Sequence, residues 1–316
     1  MKIAIVMPGS AAARSGNQHT AQRWARFLRD AGHNVHVAAG WNGTPDDMLI
    51  ALHARKSHAA AAAFHARFPH KPLIVALTGT DLYRDIRNDA DAKNSLHIAS
   101  RLIVLQEDGR NELAAALKRK TRVVYQSAAV SLRQTPTRRK FRIAVLGHLR
   151  EEKDPFRAVA ALALLPQHDN LQIAHIGAAL SPAMRKEALA WMRNEPRYRW
   201  LGSLPHHRAL RWLAGSSLMV VSSEMEGGAN VICEAARIGV PVLASRISGN
   251  IGMLGTRYPG YFDLHDTTAL AALIDRAMRE SRFMRALDAA VKSRRHLFSP
   301  ASERAALRRI IAELAP

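Results

Sequence analysis

The chain has 316 residues, of which 48% are hydrophobic and 23% charged, so it is long enough for one large or two medium-sized domains. Lys and Arg number 46 against 26 acidic residues, and the net charge of +20 attracts anions. No apolar run reaches the length of a membrane span, no nucleic-acid-binding motif is present, and only 6% of the residues are aromatic. These features argue against stable membrane insertion and against a nucleic acid partner, and they favour small phosphorylated ligands.

The single cysteine, Cys233, has no internal partner for a disulfide. The opening segment MKIAIVMPGS carries one lysine before a short apolar run and lacks a cleavage site of the secretory type. We therefore expect the protein to work in a reducing cytoplasm.

Short apolar runs alternate with longer amphipathic segments along the whole chain, a pattern that predicts repeated strand–helix units and parallel sheets. The first series predicts strands over residues 2–8, 34–40, 47–53, 72–79, 101–106 and 122–127, with helices near 17–31, 55–68, 92–99 and 108–119. The second series predicts strands over residues 141–147, 171–177, 199–202, 218–223 and 240–245, with helices near 154–165, 182–193, 206–214, 228–238 and 267–290. We therefore expect an α/β fold made of two doubly wound, Rossmann-like domains.

The segment SLRQTPTRRK, Ser131 to Lys140, lies between the two series and is polar and basic, which is typical of an exposed hinge. We expect an N-terminal domain over residues 1–135 and a C-terminal domain over residues 141–297. Residues 298–316 begin with Ser-Pro and continue with a helical period. They predict a closing helix that packs back on the first domain.

The segment SSEMEGGANVICEAARIGVPVLAS, Ser222 to Ser245, places a predicted helix directly after a strand, at the sheet edge where α/β folds bind ligands. Free N–H groups at the start of that helix attract phosphate, and Gly227 and Gly228 let a ligand approach the backbone. Glu226 and Glu234 lie about 9 to 12 Å apart along the helix. Such a pair suits a ligand with hydroxyls at both ends and phosphate in the middle, as in a nucleotide sugar. The alternative is a helix-terminal acid and a solvated surface acid, and the residues alone leave both open.

The spacing Glu226-x(7)-Glu234, followed by ARIGVPVLAS, resembles the donor-site signature of retaining glycosyltransferase family 4. That family has the GT-B architecture, with two Rossmann-like doubly wound domains facing across a cleft. The resemblance implies that Glu234 binds the ribose and that Glu226 contacts the donor sugar as a catalytic residue. It further implies that the intervening backbone lies near the diphosphate and the sugar, at Gly227, Gly228, Ala229 and Asn230.

The segment GHLREEKDPFRA, which begins at Gly147, contains a lysine where this family has its diphosphate-binding lysine. The resemblance implies that Lys153 is catalytic, because its ammonium would stabilise the charge on the leaving diphosphate. The family usually has arginine directly after the glycine, whereas this chain has His148, with Arg150 two places later. Arg150 either replaces that arginine or forms a surface ion pair with Glu151 or Glu152.

The entrance of the first predicted helix carries two further donor-site candidates, Gly16 and Asn17, because related enzymes bring this loop to the donor. The spacing Gly9-x(6)-Gly16 matches neither a Walker loop nor a dinucleotide fingerprint, so a plain turn is the alternative.

Two loops that follow strands of the first domain, LHARKS and LTGTDLYRDI, predict a cationic pocket for the acceptor. The candidates are His53, Arg55, Lys56, Thr78, Thr80, Asp81 and Arg84. Helix capping by Thr80 or Asp81 is the alternative. Many relatives carry histidine where this chain has Thr78, and its absence argues against an ordinary sugar hydroxyl as acceptor.

Metal and cofactor sites are not expected. His65, His70 and the pair His206-His207 lack cysteine or carboxylate partners at ligand spacing. No G-x-S-x-G elbow of a serine hydrolase occurs either. A nucleotide sugar would act as a co-substrate and not as a cofactor.

The segments ALHARKS, LTGTDLYRDI, RLIVLQ and GHLREEKDP resemble the selenosugar synthases of selenoneine biosynthesis. The resemblance implies transfer of N-acetylglucosamine or glucose from UDP-N-acetylglucosamine or UDP-glucose to selenophosphate, and then loss of phosphate to leave a 1-seleno sugar. Selenophosphate is already anionic, so it needs cations more than a general base. Three alternatives stay open: a transferase acting on a hydroxyl, a hydrolysing nucleotide-sugar epimerase, and a basic protein that binds RNA or anionic lipid.

Overall fold

The computed structural model describes residues 1–9, 16–137, 139–167 and 170–315. The chain forms two compact units. The first unit comprises Met1–Ser127, Glu226–Asn230 and Pro300–Pro316, and the second comprises Ala128–Met225 and Val231–Ser299. The C-terminal helix therefore belongs to the same unit as the N-terminal sheet.

Each unit contains a six-stranded sheet in which all neighbouring strands are parallel. The first sheet consists of β1 Lys2–Val6, β2 Asn34–Ala38, β3 Met48–Leu52, β4 Leu73–Leu77, β5 Arg101–Val104 and β6 Thr121–Val123. The second consists of β7 Phe141–Leu146, β8 Leu171–Ile176, β9 Tyr198–Trp200, β10 Leu218–Val221, β11 Val242–Ser245 and β12 Tyr261–Phe262. The alternation of apolar runs correctly predicted this α/β class.

Helices connect the strands, as right-handed crossovers between parallel strands require. The helices associated with the first sheet are α1 Gly16–Arg29, α2 His58–Arg67, α3 Ile86–Asn88, α4 Ala90–Ile98 and α5 Ala115–Arg119. Those of the second unit are α6 Arg157–Ala163, α7 Pro182–Asn194, α8 His206–Ala214, α9 Asn230–Ile238, α10 Ser248–Leu254, α11 Thr267–Arg279 and α12 Ser281–Arg294, and α13 Pro300–Ala312 follows. In the parts of the chain that the structure describes, no helix has both the length and the apolar character to cross a membrane.

The strand order fixes where each sheet can bind a ligand. The first sheet has the order β2-β1-β3-β4-β5-β6 and the second the order β12-β11-β10-β7-β8-β9. Chain direction across the sheet reverses between β1 and β3 in the first and between β7 and β10 in the second. Ligands of doubly wound folds bind beyond the carboxyl ends of the strands at such a switch point.

The core of the first unit lies on both faces of its sheet. Successive residues of β1 point to opposite faces, so Ile3 and Ile5 belong to one apolar cluster and Ala4 and Val6 to another. Helices α1 and α13 cover the first cluster, and α2 and α4 cover the second. Burial on both faces explains why the inner strands β3 and β4 are continuous apolar runs, whereas the edge strands β2 and β6 are not.

Several elements differ from the sequence prediction. The helix predicted over 267–290 is divided into α11 and α12, because Glu280 has an extended backbone with φ −104° and ψ 97°. The helix predicted near 108–119 is a 3₁₀ turn over Asp108–Glu112 followed by α5. The sequence analysis did not predict α10 or β12, which are short and lack a full apolar period.

The segment Ser131–Lys140, predicted as an exposed hinge, is largely exposed and is hydrogen-bonded to the second unit. The backbone N–H of Gln134 donates to the Ile238 carbonyl at 3.1 Å, and that of Thr135 donates to the Ala214 carbonyl at 2.8 Å. The segment is therefore fastened to the second unit at the ends of α9 and α8. Arg138 lies outside the described residues.

Candidate functional site

The switch point of the second sheet carries the loop in which the sequence placed the diphosphate lysine. A short 3₁₀ turn over Glu151–Lys153 follows β7. A Cβ added at Gly147 would lie 4.0 Å from Cδ of Lys153, so the lysine stem passes beside the end of β7. This placement puts Lys153 at the edge of the sheet where a doubly wound fold binds its ligand.

The loops that follow β7 and β10 are joined by hydrogen bonds. Ser222 Oγ donates to the Asp154 carbonyl at 2.8 Å. The backbone N–H of Glu224 donates to the Glu152 carbonyl at 3.0 Å. Asp154 itself has φ +43°, a left-handed conformation that costs energy for a residue other than glycine. The two loops at the switch point therefore hold one another in a defined conformation.

His148 occupies the position at which the family usually has arginine. Its Nδ1 accepts a hydrogen bond from the Ala178 N–H at 3.0 Å, which leaves the proton of the neutral ring on Nε2. Burial lowers the pKa of His148, and the charges of Arg150 and Lys153 lower it further. His148 therefore fastens the loop as a neutral ring and adds no second cation.

Arg150 is half-exposed, and its Nε lies 4.0 Å from Oε2 of Glu152. This is the surface ion pair that the sequence analysis considered as the alternative, at the longest distance that still counts as a pair. Such an exposed pair holds the guanidinium weakly. Arg150 therefore stays a candidate for the missing family arginine.

Gly177, the residue directly after β8, lies against the loop that follows β7. A Cβ added at Gly177 would lie 1.8 Å from the Gly147 carbonyl oxygen, a distance that no side chain tolerates. The backbone N–H of Gly147 also donates to the Ile176 carbonyl at 3.0 Å. Only glycine at position 177 lets the loop after β7 lie against the end of β8.

Glu234, the proposed ribose-binding acid, lies in α9 and has a partner that the sequence analysis missed. Its Oε1 lies 2.8 Å from Nε2 of His206, at the start of α8. The Glu234 side chain is 13% exposed and that of His206 is 70% exposed. The hydrogen bond to Glu234 raises the pKa of His206. The two residues are 28 positions apart, so no local pattern reveals the pair.

The Glu226–Asn230 segment belongs to the first compact unit. Glu226 is 9% exposed and Ala229 is 2% exposed. A Cβ added at Gly227 would lie 2.3 Å from the Thr78 carbonyl oxygen. Glycine at this position was expected to let a ligand approach. The structure shows that the close passage of the backbone after β4 by itself requires glycine here.

Two loops of the first unit, which follow β3 and β4, are tied together by one buried carboxylate. Asp81 is fully buried, and its oxygens accept the backbone N–H groups of Ala54 at 2.9 Å, Thr78 at 3.0 Å and Gly79 at 2.8 Å. Both oxygens of the carboxylate are therefore engaged by backbone N–H groups. Asp81 thus ties the two loops together through their backbone, a role different from the helix capping considered as the alternative, and among the described residues no side-chain cap bond is formed at the start of the turn Asp81–Asp85.

His53 follows β3 and is another buried polar residue of these loops, with 3% exposure. Its Nε2 lies 3.1 Å from Oγ1 of Thr80, and its Nδ1 accepts the Lys56 N–H at 3.2 Å. Burial is the main cause that lowers the pKa of His53. The ring therefore stays neutral near pH 7.

The cations of the predicted acceptor pocket surround these loops but are already engaged in part. Arg55 Nε lies 2.8 Å from Oδ2 of Asp89, and Arg84 Nε lies 3.0 Å from Oδ1 of Asp85. Both arginine side chains are at least half exposed. Lys56 is exposed on the same turn as His53.

The start of α1 contains the remaining two candidates. Gly16 is exposed, and its carbonyl accepts the Thr20 hydroxyl at 3.0 Å. Asn17 is the second residue of the helix and is partly exposed. The loop before them, residues 10–15, lies outside the described part of the chain.

Within the part of the chain that the structure describes, no group of three or more His, Cys, Asp or Glu side chains is placed to hold a metal ion.

Comparison with solved structures identifies the fold. HepE of Anabaena, in complex with UDP and glucose, superposes with a TM-score of 0.79 at 15% identity and covers 99% of this chain and 100% of its own. Sucrose-phosphate synthase of Thermosynechococcus elongatus gives a TM-score of 0.79 at 17% identity, with 99% and 98% covered. A glycosyltransferase of Rickettsia africae gives 0.74 at 14% identity, with 99% and 98% covered. The chain thus has the GT-B fold, which confirms the predicted fold class.

The sequence also matches a family model directly. The model described as glycosyl transferases group 1 matches residues 132–294, just over half of the chain. The matched region contains both switch-point loops of the second sheet and the Glu226-x(7)-Glu234 segment. The chain therefore belongs to the glycosyl transferases group 1 family.

Proposed function

We propose that this protein transfers a hexosyl group, N-acetylglucosamine or glucose, from its UDP-sugar to selenophosphate, as in selenoneine biosynthesis. The observation that carries the proposal is the position of Lys153, whose stem lies beside the end of β7 at the switch point of the second sheet. A cation there meets the diphosphate of a nucleotide bound at the carboxyl edge. The proposal keeps Glu226 and Glu234 as the acids that contact the sugar and the ribose.

The UDP part of the donor is supported by relatives of the same fold. HepE is described in complexes with UDP and with UDP-glucose. The family match covers every residue assigned to the donor in the second unit. We therefore take a uridine diphosphate sugar as the donor class.

The acceptor part is supported by the residues around the end of β4. Thr78 has no basic side chain, and the nearby His53 is neutral with Nδ1 occupied by a backbone N–H. Neither residue is suited to remove a proton from a hydroxyl group. Selenophosphate requires no such base, because its selenium is anionic and strongly nucleophilic.

The reaction balances in two steps. A selenium lone pair of selenophosphate forms the bond to C1 of the sugar, while the bond from C1 to the diphosphate oxygen breaks and its electrons leave with UDP. Water then attacks phosphorus, the phosphorus–selenium bond breaks, and inorganic phosphate and a 1-seleno sugar result. Lys153 stabilises the negative charge that gathers on UDP in the first step.

The test is a screen of purified protein with UDP-N-acetylglucosamine and UDP-glucose against selenophosphate, inorganic phosphate and hydroxyl acceptors. We expect UDP release that depends on selenophosphate, together with a product whose mass and isotope pattern contain selenium. UDP release that depends on a hydroxyl acceptor, or conversion of the donor sugar without any acceptor, would show that the proposal is wrong. The Lys153→Ala variant serves as the control for enzyme-dependent turnover.

A further inference from the structure

His53 adopts an unusual backbone conformation for a buried side chain. Its φ is +78°, in the left-handed region, and the residue is 3% exposed. A residue other than glycine in this region is strained, and it persists where the surrounding structure requires it. The position directly after β3 is next to the switch point of the first sheet. This strain makes His53 a candidate for a functional role.

The hydrogen bonds of the ring fix its tautomer. The Lys56 N–H donates to Nδ1 at 3.2 Å, so Nδ1 offers its lone pair and carries no proton. The proton of the neutral ring is therefore on Nε2. Nε2 lies 3.1 Å from Oγ1 of Thr80, and it must be the donor in that bond.

Two carboxylates lie near the ring without taking this proton. Oδ2 of Asp85 is 3.9 Å from Nε2 and has no hydrogen-bond partner among the described residues. Its negative charge favours a proton on Nε2, the nitrogen that it faces. Asp81, which lies 3.9 Å from Nδ1, is already occupied by backbone N–H groups. The hydrogen bonds therefore decide the tautomer, and Oδ2 of Asp85 is compatible with it.

This tautomer determines the role of the Thr80 hydroxyl in its hydrogen bonds. Because its oxygen accepts from His53, its own proton is directed to another acceptor. Thr80 is partly exposed, and within the described structure its side chain forms no cap for the helical turn that it precedes. The hydroxyl is therefore a preset donor at the carboxyl end of β4.

We propose that the Thr80 hydroxyl donates a hydrogen bond to an anionic oxygen of the acceptor and that His53 is the positioning residue that fixes this direction. The inference deepens the proposed function and rests on it. It identifies the acceptor as a phosphoryl-type anion, because a hydroxyl that can only donate a hydrogen bond pairs best with an oxygen that can only accept one. The positive charge of Lys56, on the same turn as His53, favours the same class of ligand.

The arrangement also discriminates against a hydroxyl acceptor. A hydroxyl nucleophile needs a neighbouring base that takes its proton. His53 cannot act as one, because its Nδ1 lone pair faces a backbone N–H and its Nε2 already bears a proton. Thr80 is not a base either. These two residues therefore select for an acceptor that arrives as an anion.

Inorganic phosphate is the probe for the test, with binding to the full chain measured by calorimetry. The Thr80→Val variant keeps the shape and removes the hydroxyl, and we expect it to weaken phosphate binding by about tenfold to a hundredfold, the range for a lost hydrogen bond to a charged group. Thr80→Ser keeps the hydroxyl and should bind phosphate within a few-fold of the natural protein. Melting temperatures of all variants report whether the fold is intact.

His53→Asn separates positioning from packing. Asparagine tolerates a positive φ and offers an oxygen to the Lys56 N–H, but it is too short to reach Thr80. We expect weaker phosphate binding and a higher KM for selenophosphate, with the KM for the UDP-sugar unchanged. A merely structural role of His53 would instead alter both KM values together or lower the melting temperature without changing phosphate binding.

The outcomes separate the two proposals. If the natural protein does not bind phosphate, or if Thr80→Val binds it as tightly, the inference is overturned. If phosphate binding follows the expected order of variants but selenophosphate gives no product, the proposed function fails and the phosphoryl-type site stands. If both hold, Thr80 is a substrate-contacting residue.

Discussion

Glu303 accepts a hydrogen bond from the indole N–H of Trp24 at 2.8 Å inside the first unit. The same carboxylate accepts from Arg23 Nε at 2.7 Å and from the backbone N–H and the hydroxyl of Ser127. Glu303 is 1% exposed. This one side chain of α13 therefore satisfies buried donors of α1 and of the segment that follows β6.

We expect Glu303→Ala to lower the free energy of unfolding by about 3–5 kcal/mol, because removal of one partner leaves buried donors and the Arg23 charge unpaired. Urea unfolding of the purified variant measures this loss. Glu313→Ala is the matched control, since Glu313 lies just beyond the C-terminal end of the same helix and pairs with Arg101 and Arg122 near the surface. Its loss should cost about 0–1 kcal/mol. Equal losses for the two variants would contradict the assignment of Glu303 as the shared acceptor of these buried donors.

A second prediction concerns the support of the loop after β7. Gly177→Ala would place a methyl group on the Gly147 carbonyl, so the ends of β7 and β8 have to separate. We expect a loss of about 1–3 kcal/mol in stability, as for other overpacked sites, and a lower kcat/KM because the Lys153 loop shifts. Thermal unfolding and steady-state kinetics measure the two effects.

Gly40→Ala controls for the substitution itself. A Cβ at Gly40 meets no atom within 4 Å, and the residue does not have a positive φ. This variant should stay within about 0.5 kcal/mol of the natural protein. If Gly177→Ala is equally well tolerated, the close approach of the two strand ends does not limit residue choice.

The pair formed by Glu234 and His206 gives a prediction about pH. Glu234 raises the pKa of His206, so the ion pair is complete below the ordinary pKa of about 6.5 and is lost as the pH rises through the raised value. Glu234→Gln should return the His206 pKa towards 6.5, which a proton NMR titration of the imidazole signals measures. His206→Gln identifies the signal. An unchanged titration in Glu234→Gln would show that the pair does not form in solution.

The pair also competes with the proposed ribose contact. The charged imidazole holds the carboxylate that would accept the ribose hydroxyls. We therefore expect the KM for the UDP-sugar to fall as the pH rises through the His206 pKa. The effect should disappear in His206→Gln.

The sequence predicted the repeated units of the fold because hydrophobic periodicity records which faces are buried, and both sheets consist of such runs. It did not predict the division between α11 and α12. The dividing residue is Glu280, which is not a helix breaker such as proline or glycine, and its extended backbone is set by tertiary packing. Composition alone indicated an exposed hinge over Ser131–Lys140, and it could not show that the backbone of this segment is hydrogen-bonded to the ends of α8 and α9.

The candidate site shows the same limit. A spacing of eight residues along one segment identified Glu226 and Glu234, because both lie on the same stretch of chain. Partners that are distant in sequence were not predicted. His206 is 28 residues from Glu234. Asp85 is brought near His53 only by the pairing of β3 with β4. Gly227 was recognised in the sequence as a special position. The need for glycine there comes from the Thr78 backbone, which only the fold brings close.

The last prediction concerns the cation at the end of β7. Lys153→Ala should lower kcat by about a hundredfold at saturating UDP-sugar, because a preorganised positive charge that stabilises the leaving diphosphate is lost. Lys292→Ala is the matched control, since Lys292 lies on α12 and pairs only at the surface with Asp288 at 2.7 Å. This control should keep the natural rate and a similar melting temperature. Full turnover of Lys153→Ala at saturating donor would rule out the diphosphate contact.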